Sequence, residues 1–383
     1  MPISDLKLQS ASSFLIHAPD DDHSLDLYLI GGTWDIIFWN ALALTSSKTL
    51  KGRCIVFSRA FSPSQRQQIE NASSAAGLIP VVYTNENHLR KIAPSLNINN
   101  LFVLHLSDSL THQLCNQFNY DNLFIGFEGL GGYFPSPKAQ VLLARPYTYV
   151  HYSNLPPPQW VTTSKIQIIP SSDLAKSIAQ LRLLLSIKER SAPLDCNTVL
   201  VLGQHFHRHR VLTWDQEHDL YEEFIKEHIN EGLCVAWKEH PRNDKPFGEV
   251  FFSRYPDRFL ILELDPLHSI EFWGSDLRAI RSIAGVCSNS LFNLRDIYGL
   301  PAISILTPQS LTKFNFENLG RSALINLVGI ACLNHGGHLP IDHFIAAFQR
   351  AASKGPPKQT KGNLRQFIFT FFSGLKRTIF RHT

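Results

Sequence analysis

A chain of 383 residues with 44% apolar and 18% charged content has enough material for two domains with separate cores, and its composition is not that of a disordered protein. Its net charge of +4 averages unlike parts: Lys354 to Thr383 carries seven Lys or Arg and no acid, which leaves −3 for everything before it. A slightly acidic core without a basic stripe among aromatics excludes a nucleic-acid partner, and the absence of any apolar run of ~18 residues excludes a spanning helix.

The opening Met1-Pro2-Ile3-Ser4-Asp5 lacks the basic-then-apolar layout of a secretory signal, and the six cysteines show neither CxxC pairs nor paired metal spacing. Both observations predict a reducing, cytoplasmic compartment and no structural metal. Cys234 and Cys287 fall within or at the end of predicted strands, where a thiol packs as a small hydrophobe. A strand is expected at Asp26–Ile30, a turn at Gly31-Gly32-Thr33 and an apolar helix at Trp34–Leu44. Gly31 and Thr33, at a strand-to-helix turn, are candidate substrate contacts; Asp35 reads equally well as a first-turn acid. Further strands are expected at Cys54–Phe57, Ile79–Val82, Leu101–Leu106, Leu123–Phe127 and Tyr147–His151, with helices at Pro63–Ala75 and Thr111–Gln117. Strands alternating with helices predict βαβ units and a parallel sheet.

The run Leu123–Phe127 leads into Glu128-Gly129-Leu130-Gly131-Gly132, a loop whose glycines leave the Glu128 carboxylate open to a substrate, with Gly129 beside it. The competing reading is a solvated loop carboxylate. Asn154-Leu155-Pro156-Pro157-Pro158 marks the exit from a first domain at 1–153, since three prolines neither continue a helix nor pair in a sheet. Residues 154–195 are expected as linker and crossover, and 196–350 as a second, nucleotide-binding domain.

That domain restarts with a strand at Thr198–Leu202, ended by Gly203 and Gln204, both candidate nucleotide contacts. In His205-Phe206-His207-Arg208-His209-Arg210 alternation would place three histidines on one side, a basic loop for a phosphate or acceptor; with no Cys or acid beside them, zinc is not expected. Thr213-Trp214-Asp215-Gln216 reads as a capping box opening a helix that buries Leu220, Tyr221, Phe224, Ile225 and Ile229. The apolar strand Leu233–Trp237 emerges at Lys238-Glu239-His240-Pro241-Arg242, where Lys238, His240 and Arg242 suit an anion; alone, His240 would read as a surface histidine. After the strand Phe259–Leu262, Glu271 is either a ribose-accepting carboxylate or a first-turn acid complementing a helix dipole. Ile283–Val286 leads to Ser288 and Ser290, which open a helix through Leu291, Leu294 and Ile297. Hydroxyls and free N–H groups at a helix N-terminus favour phosphate, although capping alone would account for both serines. A last strand is expected at Ala302–Leu306.

In the tail, 351–383, Leu364, Phe367, Ile368, Phe371, Phe372, Leu375 and Ile379 recur at helical spacing among Arg365, Lys376, Arg377 and Arg381. An apolar face flanked only by cations suits an anionic membrane surface; packing on the protein's own domains is the alternative.

Two doubly wound halves joined by a proline-rich linker are the architecture of the GT-B glycosyltransferases: two Rossmann-like α/β domains facing each other across a cleft. With Glu128-Gly129, His240-Pro241 and Ser288/Ser290 in that order, the chain resembles the bacterial sialyltransferases, most closely the alpha-2,8-polysialyltransferase type. That type carries a D/E-D/E-G motif in its first domain, then His-Pro and a Ser/Thr pair. The resemblance spans roughly residues 25–310 and departs at Phe127, which stands at the first acidic position. It implies an inverting transfer of a nonulosonic acid, sialic acid foremost, from a CMP-activated donor to a surface glycan or glycolipid at the inner face of a bacterial cytoplasmic membrane. Glu128 would be the general base and His240 would meet the leaving phosphate. Pro241, Ser288, Ser290, Glu271, Gly203, Gln204, Lys238 and Arg242 would line the nucleotide site, and no metal or other cofactor is called for. Two other readings stay open: a donor such as CMP-Kdo, CMP-legionaminic acid or a UDP- or CDP-linked sugar, and a catalytically inactive, membrane-attached glycan-binding protein.

Overall fold

The computed structural model describes residues 25–57, 62–81, 86–93, 97–106, 109–129, 139–152, 157–158, 160–163, 165–187, 194–240, 243–264, 268–286, 288–306, 310 and 313–315. Pro241, Arg242, Cys287 and the whole tail at 351–383 lie outside the described residues. In chain order the first half forms β1 (Leu25–Ile30), α1 (Thr33–Thr45), β2 (Gly52–Val56), α2 (Pro63–Ala75), β3 (Leu78–Pro80), α3 (Glu86–Ile92), β4 (Asn97–Val103), α4 (Ser109–Cys115), β5 (Asn119–Gly126), α5 (Gln140–Leu143), β6 (Thr148–His151), β7 (Ile166–Ile168) and α6 (Ser171–Leu184). The second half forms β8 (Thr198–Leu202), α7 (Trp214–Asn230), β9 (Cys234–Lys238), α8 (Gly248–Arg254), β10 (Phe259–Ile261), a 3-10 turn (Ile270–Trp273), β11 (Ser282–Gly285), α9 (Ser290–Tyr298) and β12 (Ala302–Ser304).

The chain divides into two compact units. One runs to Ser191 and takes in Leu267–Ser275 and Asp296–Tyr298; the other holds the remainder. Each carries one parallel sheet, in the order β3-β2-β1-β4-β5-β6-β7 and β10-β9-β8-β11-β12 respectively. Both orders run outward from a central strand and reverse beside it, at β1/β4 and at β8/β11. These are the two Rossmann-like, doubly wound sheets of the GT-B class, and such switch points open ligand sites at the carboxyl ends of the strands.

In the first sheet, Tyr28 pairs with Phe102 and Phe102 with Phe124 across β1, β4 and β5. Their rings stack at 4.2 and 4.7 Å between centroids. Cross-strand aromatic contacts of this kind pin the register. The consequence is functional, because fixing the three strands fixes the level at which Gly31, His105 and Glu128 leave the sheet. Helix α1 is buried continuously from Asp35 to Ala41, and its two polar residues there, Asp35 and Asn40, are both hydrogen-bonded. Its cover is α6: Asn40 Nδ2 donates to Ser177 Oγ at 3.0 Å, and that hydroxyl donates to the Ile37 carbonyl at 2.8 Å.

Strand β7 and helix α6 fall inside 154–195, the stretch the sequence reading treats as linker and crossover. Both belong to the first unit, β7 as the edge strand beside β6. The strand escapes detection because it is three residues long and exposed throughout. The helix has a legible period, with Leu174, Ile178 and Leu181 buried at four- and three-residue intervals.

The second sheet is shorter. β8 is buried at every position. The capping box opening α7 is present in full: Thr213 Oγ1 accepts from the Gln216 N–H, and Gln216 Oε1 accepts from the Thr213 N–H. Leu220, Tyr221, Phe224 and Ile225 are buried as expected, while Ile229, in the last turn, is half-buried. Trp237, with no exposed surface, sits among Tyr221, Phe247, Phe251 and Phe259 as the centre of this unit's aromatic core.

Candidate functional site

In the first unit the candidate residues gather at the carboxyl ends of the adjacent strands β1, β4 and β5. Gly31 ends β1, and its N–H donates to Asp35 Oδ2 at 2.7 Å. Asp35, in the first turn of α1 and 1% exposed, meets His105 through its other oxygen, Oδ1, 3.0 Å from Nε2. On its opposite side the His105 imidazole presents Nδ1 to Glu128 Oε2 at 3.5 Å. The cluster also accounts for Gly31, since a β-carbon there would lie 2.7 Å from His105 Cδ2. Thr33 begins α1 and is half-buried.

Glu128 is 8% exposed, so it is not the open, solvated carboxylate that a glycine-flanked loop suggests. The Phe127 N–H donates to the Val150 carbonyl at 2.9 Å, which extends β5 pairing by one residue and buries the Phe127 ring against His151 and Tyr152. Gly129 follows with φ of 95°, a left-handed conformation suited to glycine, and turns the chain sharply after the carboxylate.

In the second unit the candidates lie at the ends of β8, β9 and β11, again adjacent. The loop after β8 is held from α7 by Glu217, which is fully buried. Its Oε1 accepts from the Phe206 N–H at 3.0 Å and its Oε2 from the His207 N–H at 2.8 Å. His207 also places Nδ1 2.6 Å from Glu217 Oε2 and Nε2 3.3 Å from Asp244 Oδ1. Residues 206–210 are turns, so the alternation expected for the three histidines is broken. His207 faces carboxylates, whereas His205 and His209 bring their Nε2 atoms to 3.1 Å of each other. The His205 ring stacks on His240, centroids 3.9 Å apart. Three imidazoles therefore meet where β8 and β9 emerge.

The loop after β9 turns on Glu239. Its Oε2 accepts from Trp237 Nε1 at 2.9 Å and from the N–H groups of Phe247 at 2.9 Å and Gly248 at 3.2 Å. Its Oε1 accepts from Asn243 Nδ2 at 2.8 Å and from the His240 N–H at 3.3 Å. Lys238 is the last residue of β9, and its carbonyl accepts from the Gly203 N–H at 2.9 Å. Gly203 has a packing reason to be glycine: a β-carbon would come within 2.6 Å of the Trp237 ring. The Gln204 N–H donates to the Tyr221 hydroxyl at 2.8 Å. Ser288 and Ser290 are half-buried at the start of α9, where Ser288 Oγ accepts from the Ser290 N–H at 3.3 Å.

Glu271 belongs to the first unit. It is 1% exposed on the 3-10 turn, and it accepts from the Ser269 hydroxyl. The same turn is tied to α6 by Arg182 Nη1, which donates to the Phe272 carbonyl at 3.3 Å. A polar cavity of about 380 Å³ lies at the opposite end of the first sheet's strands, by the amino ends of β4 and β5, with Asn97, Asn119, Tyr120 and Arg145 in its lining. It has no part in the clusters above.

The sequence reading names neither His105, Glu217 nor Glu239 as a site residue. His105 carried the signal used for His240, a histidine where an apolar strand ends. Glu217 and Glu239 carried weaker ones: a glutamate in the first turn of a capped helix, and an acid inside an otherwise basic motif.

A family model described as alpha-2,8-polysialyltransferase (POLYST) matches residues 98–307, more than half of the chain. The match takes in His105, Glu128, His240 and Ser288/Ser290 and leaves out Gly31 and Asp35. No curated protein matches. Similar solved structures include S. aureus MnaA with UDP, at 12% identity and a TM-score of 0.49 over 74% of this chain and 80% of that one. Os79 of O. sativa in complex with UDP follows at 11% and 0.45, over 84% and 99%. MurG of Acinetobacter baumannii stands at 8% and 0.40, over 85% and 99%.

Proposed function

The chain belongs to the alpha-2,8-polysialyltransferase family, and we propose that it transfers a nonulosonic acid, sialic acid foremost, from a CMP-activated donor to a glycan hydroxyl with inversion. As a glycosyltransferase it uses a nucleotide-sugar donor and a glycan acceptor. The observation that carries the finer reading is Glu128, a nearly buried carboxylate at the carboxyl end of β5 with an imidazole at 3.5 Å.

In the transfer the acceptor oxygen bonds to the anomeric carbon while the bond from that carbon to the phosphate oxygen breaks, its electron pair leaving on CMP. The hydroxyl proton passes to Glu128, a general-base step worth about 10²–10⁴ in rate. Negative charge grows on the departing phosphate. His240, stacked on His205, supplies a cation or a proton there, and Lys238 adds charge. Ser288, Ser290 and the first N–H groups of α9 supply hydrogen bonds. Those groups provide the positive potential that other transferases draw from a metal, so no metal is assigned. Arg242 and Pro241 join them by sequence position, and Gly203 and Gln204 by adjacency to His205. The basic tail would hold the enzyme on the inner face of the cytoplasmic membrane, near a lipid-linked or capsular acceptor.

A thermal-shift panel of CMP, CDP, UMP, UDP and GDP, repeated on His240→Ala, tests the donor. CMP at about a hundred times its Kd stabilises the fold by ~2.7 kcal/mol, and that gain disappears in the variant. Preference for a diphosphate would move the donor to a UDP- or CDP-sugar. Glu128→Gln should bind CMP normally and fail to transfer; a Glu128→Gln enzyme with full transfer would remove the base assignment.

A further inference from the structure

We propose that His105 is a positioning residue for Glu128: anchored by Asp35, it stands as an imidazolium beside the carboxylate and fixes its orientation to receive the acceptor proton. The role rests on Glu128 being the base.

Three observations carry it. Both ring nitrogens of His105 face carboxylate oxygens, Nε2 at 3.0 Å from Asp35 and Nδ1 at 3.5 Å from Glu128. A neutral imidazole has one N–H to give, whereas the doubly protonated ring serves both. The anchor is itself braced, because Asp35 is 1% exposed and takes the Gly31 N–H on its second oxygen. Finally, the ring packs close against the Gly31 backbone, where an added β-carbon would come within 2.7 Å of it. Among the described residues, the neighbours facing His105 are the Asp35 and Glu128 carboxylates and the uncharged ring of Phe57, 6.3 Å away between centroids. Burial acts to lower the His105 pKa, but the charge and hydrogen bonds of Asp35 and then of Glu128 outweigh it and raise the pKa well above the ordinary imidazole value.

The 3.5 Å separation from Glu128 is an ion-pair distance rather than a tight hydrogen bond. Contacts of that kind commonly shorten when the reacting complex forms. His105 takes and gives no proton in the scheme. The proton from the acceptor goes to Glu128 alone, and the imidazolium offsets the charge of two neighbouring carboxylates before that transfer.

The test has two arms on the full chain. In the first, histidine labelled at Cε1 is titrated by NMR in the wild type, Asp35→Asn and Glu128→Gln. The His105 midpoint should lie above that of exposed histidines and fall in both variants. A midpoint unmoved by Glu128→Gln would overturn the pairing, whatever Glu128 does in catalysis. In the second arm, kcat/KM for transfer from CMP-sialic acid to an alpha-2,8-linked sialic acid oligomer is followed against pH in the wild type, His105→Gln and His105→Asn. Loss of the cation should cost at least about tenfold at pH values below the His105 midpoint found in the first arm, and the penalty should shrink as pH rises through it. A purely structural histidine would lower kcat/KM equally at all pH values, which would overturn the role. Full transfer by Glu128→Gln with the NMR coupling intact would remove the base, and the catalytic role with it, while leaving the ion cluster established.

Discussion

Glu239 should matter more to the stability of the second unit than any residue named for the chemistry. Its Oε2 takes three hydrogen bonds, from the Trp237 indole and the N–H groups of Phe247 and Gly248. Trp237 and Phe247 have no exposed surface, so neither donor can turn to water once the carboxylate is removed. A buried donor left without its acceptor costs about 1–3 kcal/mol, and hydrogen bonds to a charged group run toward the upper end. Two orphaned donors put Glu239→Ala at roughly 3–5 kcal/mol, with Gly248, whose bond is longer, adding less. Glu239→Gln is the informative companion. Its amide oxygen can sit where Oε2 is and keep all three donors, but its NH2 then faces Asn243 Nδ2 and the His240 N–H, both donors, so ~1–2 kcal/mol is lost on that side. Thermal unfolding measures both, and for a domain of this size 1 kcal/mol is about 2–4 °C, which places Ala roughly 6–20 °C below the wild type. An Ala variant melting within a degree or two of the wild type, or a Gln variant worse than Ala, would refute this account of the loop. In the Gln variant CMP binding should weaken more than stability does, because the bond lost is the one that seats His240.

Gly203→Ala should lose about 1–3 kcal/mol in urea unfolding, since its β-carbon would meet the Trp237 ring at 2.6 Å; a loss below ~0.5 kcal/mol would mean the ring has slack. Cys54 and Cys115 are fully buried and burial pushes both thiols up to about 12, so at pH 8 a maleimide should label exposed Cys196 in the native chain and reach these two only in denaturant. The raised pKa of His105 makes its stabilisation pH-dependent. The contribution is complete below the unfolded-chain value of ~6.5 and is lost as pH rises through the folded value, so the melting-temperature gap between wild type and His105→Gln should narrow with rising pH; a gap that widens would reverse the assignment.

Much of the fold was legible because many of the strands hold short apolar runs and two of the helices, α2 and α7, open with capping boxes. The Thr213 capping box and β8 appear where the spacing puts them. Boundaries drift by a residue or several, as at β4, where the ladder begins at Asn97, earlier than its apolar stretch. The candidate site was legible only in those residues that announce themselves beside a strand end. Glu128, His240 and the two serines do so. Their supporting residues are not settled by that signal: His105 also stands just past a strand end, but the contacts that define its role are long-range, with Asp35 70 positions away. Glu217 and Glu239 are hidden differently. Their chemistry is to satisfy backbone and indole N–H groups, and nothing in a sequence shows which donors will be stranded until the loops are folded.

Phe127 is where those two kinds of legibility meet. The acidic motif of the family would place a carboxylate at this position, and Phe127→Asp therefore looks like a repair. The structure argues against it. Because the Phe127 N–H still pairs with the Val150 carbonyl, the extended chain alternates at this point. The 127 side chain enters the layer against His151 and Tyr152, and the 128 side chain is the one that reaches His105. Phe127 is 1% exposed. Removing a ring so placed costs about 3–5 kcal/mol, and the new carboxylate adds a desolvation penalty that only a charged His151 would offset. Phe127→Asp should melt well below the wild type and transfer no faster, whereas Phe127→Leu should be mildly destabilised and active. If Phe127→Asp folded normally and gained activity, or kept transfer when Glu128 was also changed to Gln, the base would belong to position 127 and the alternation described above would have to be shifted by one residue.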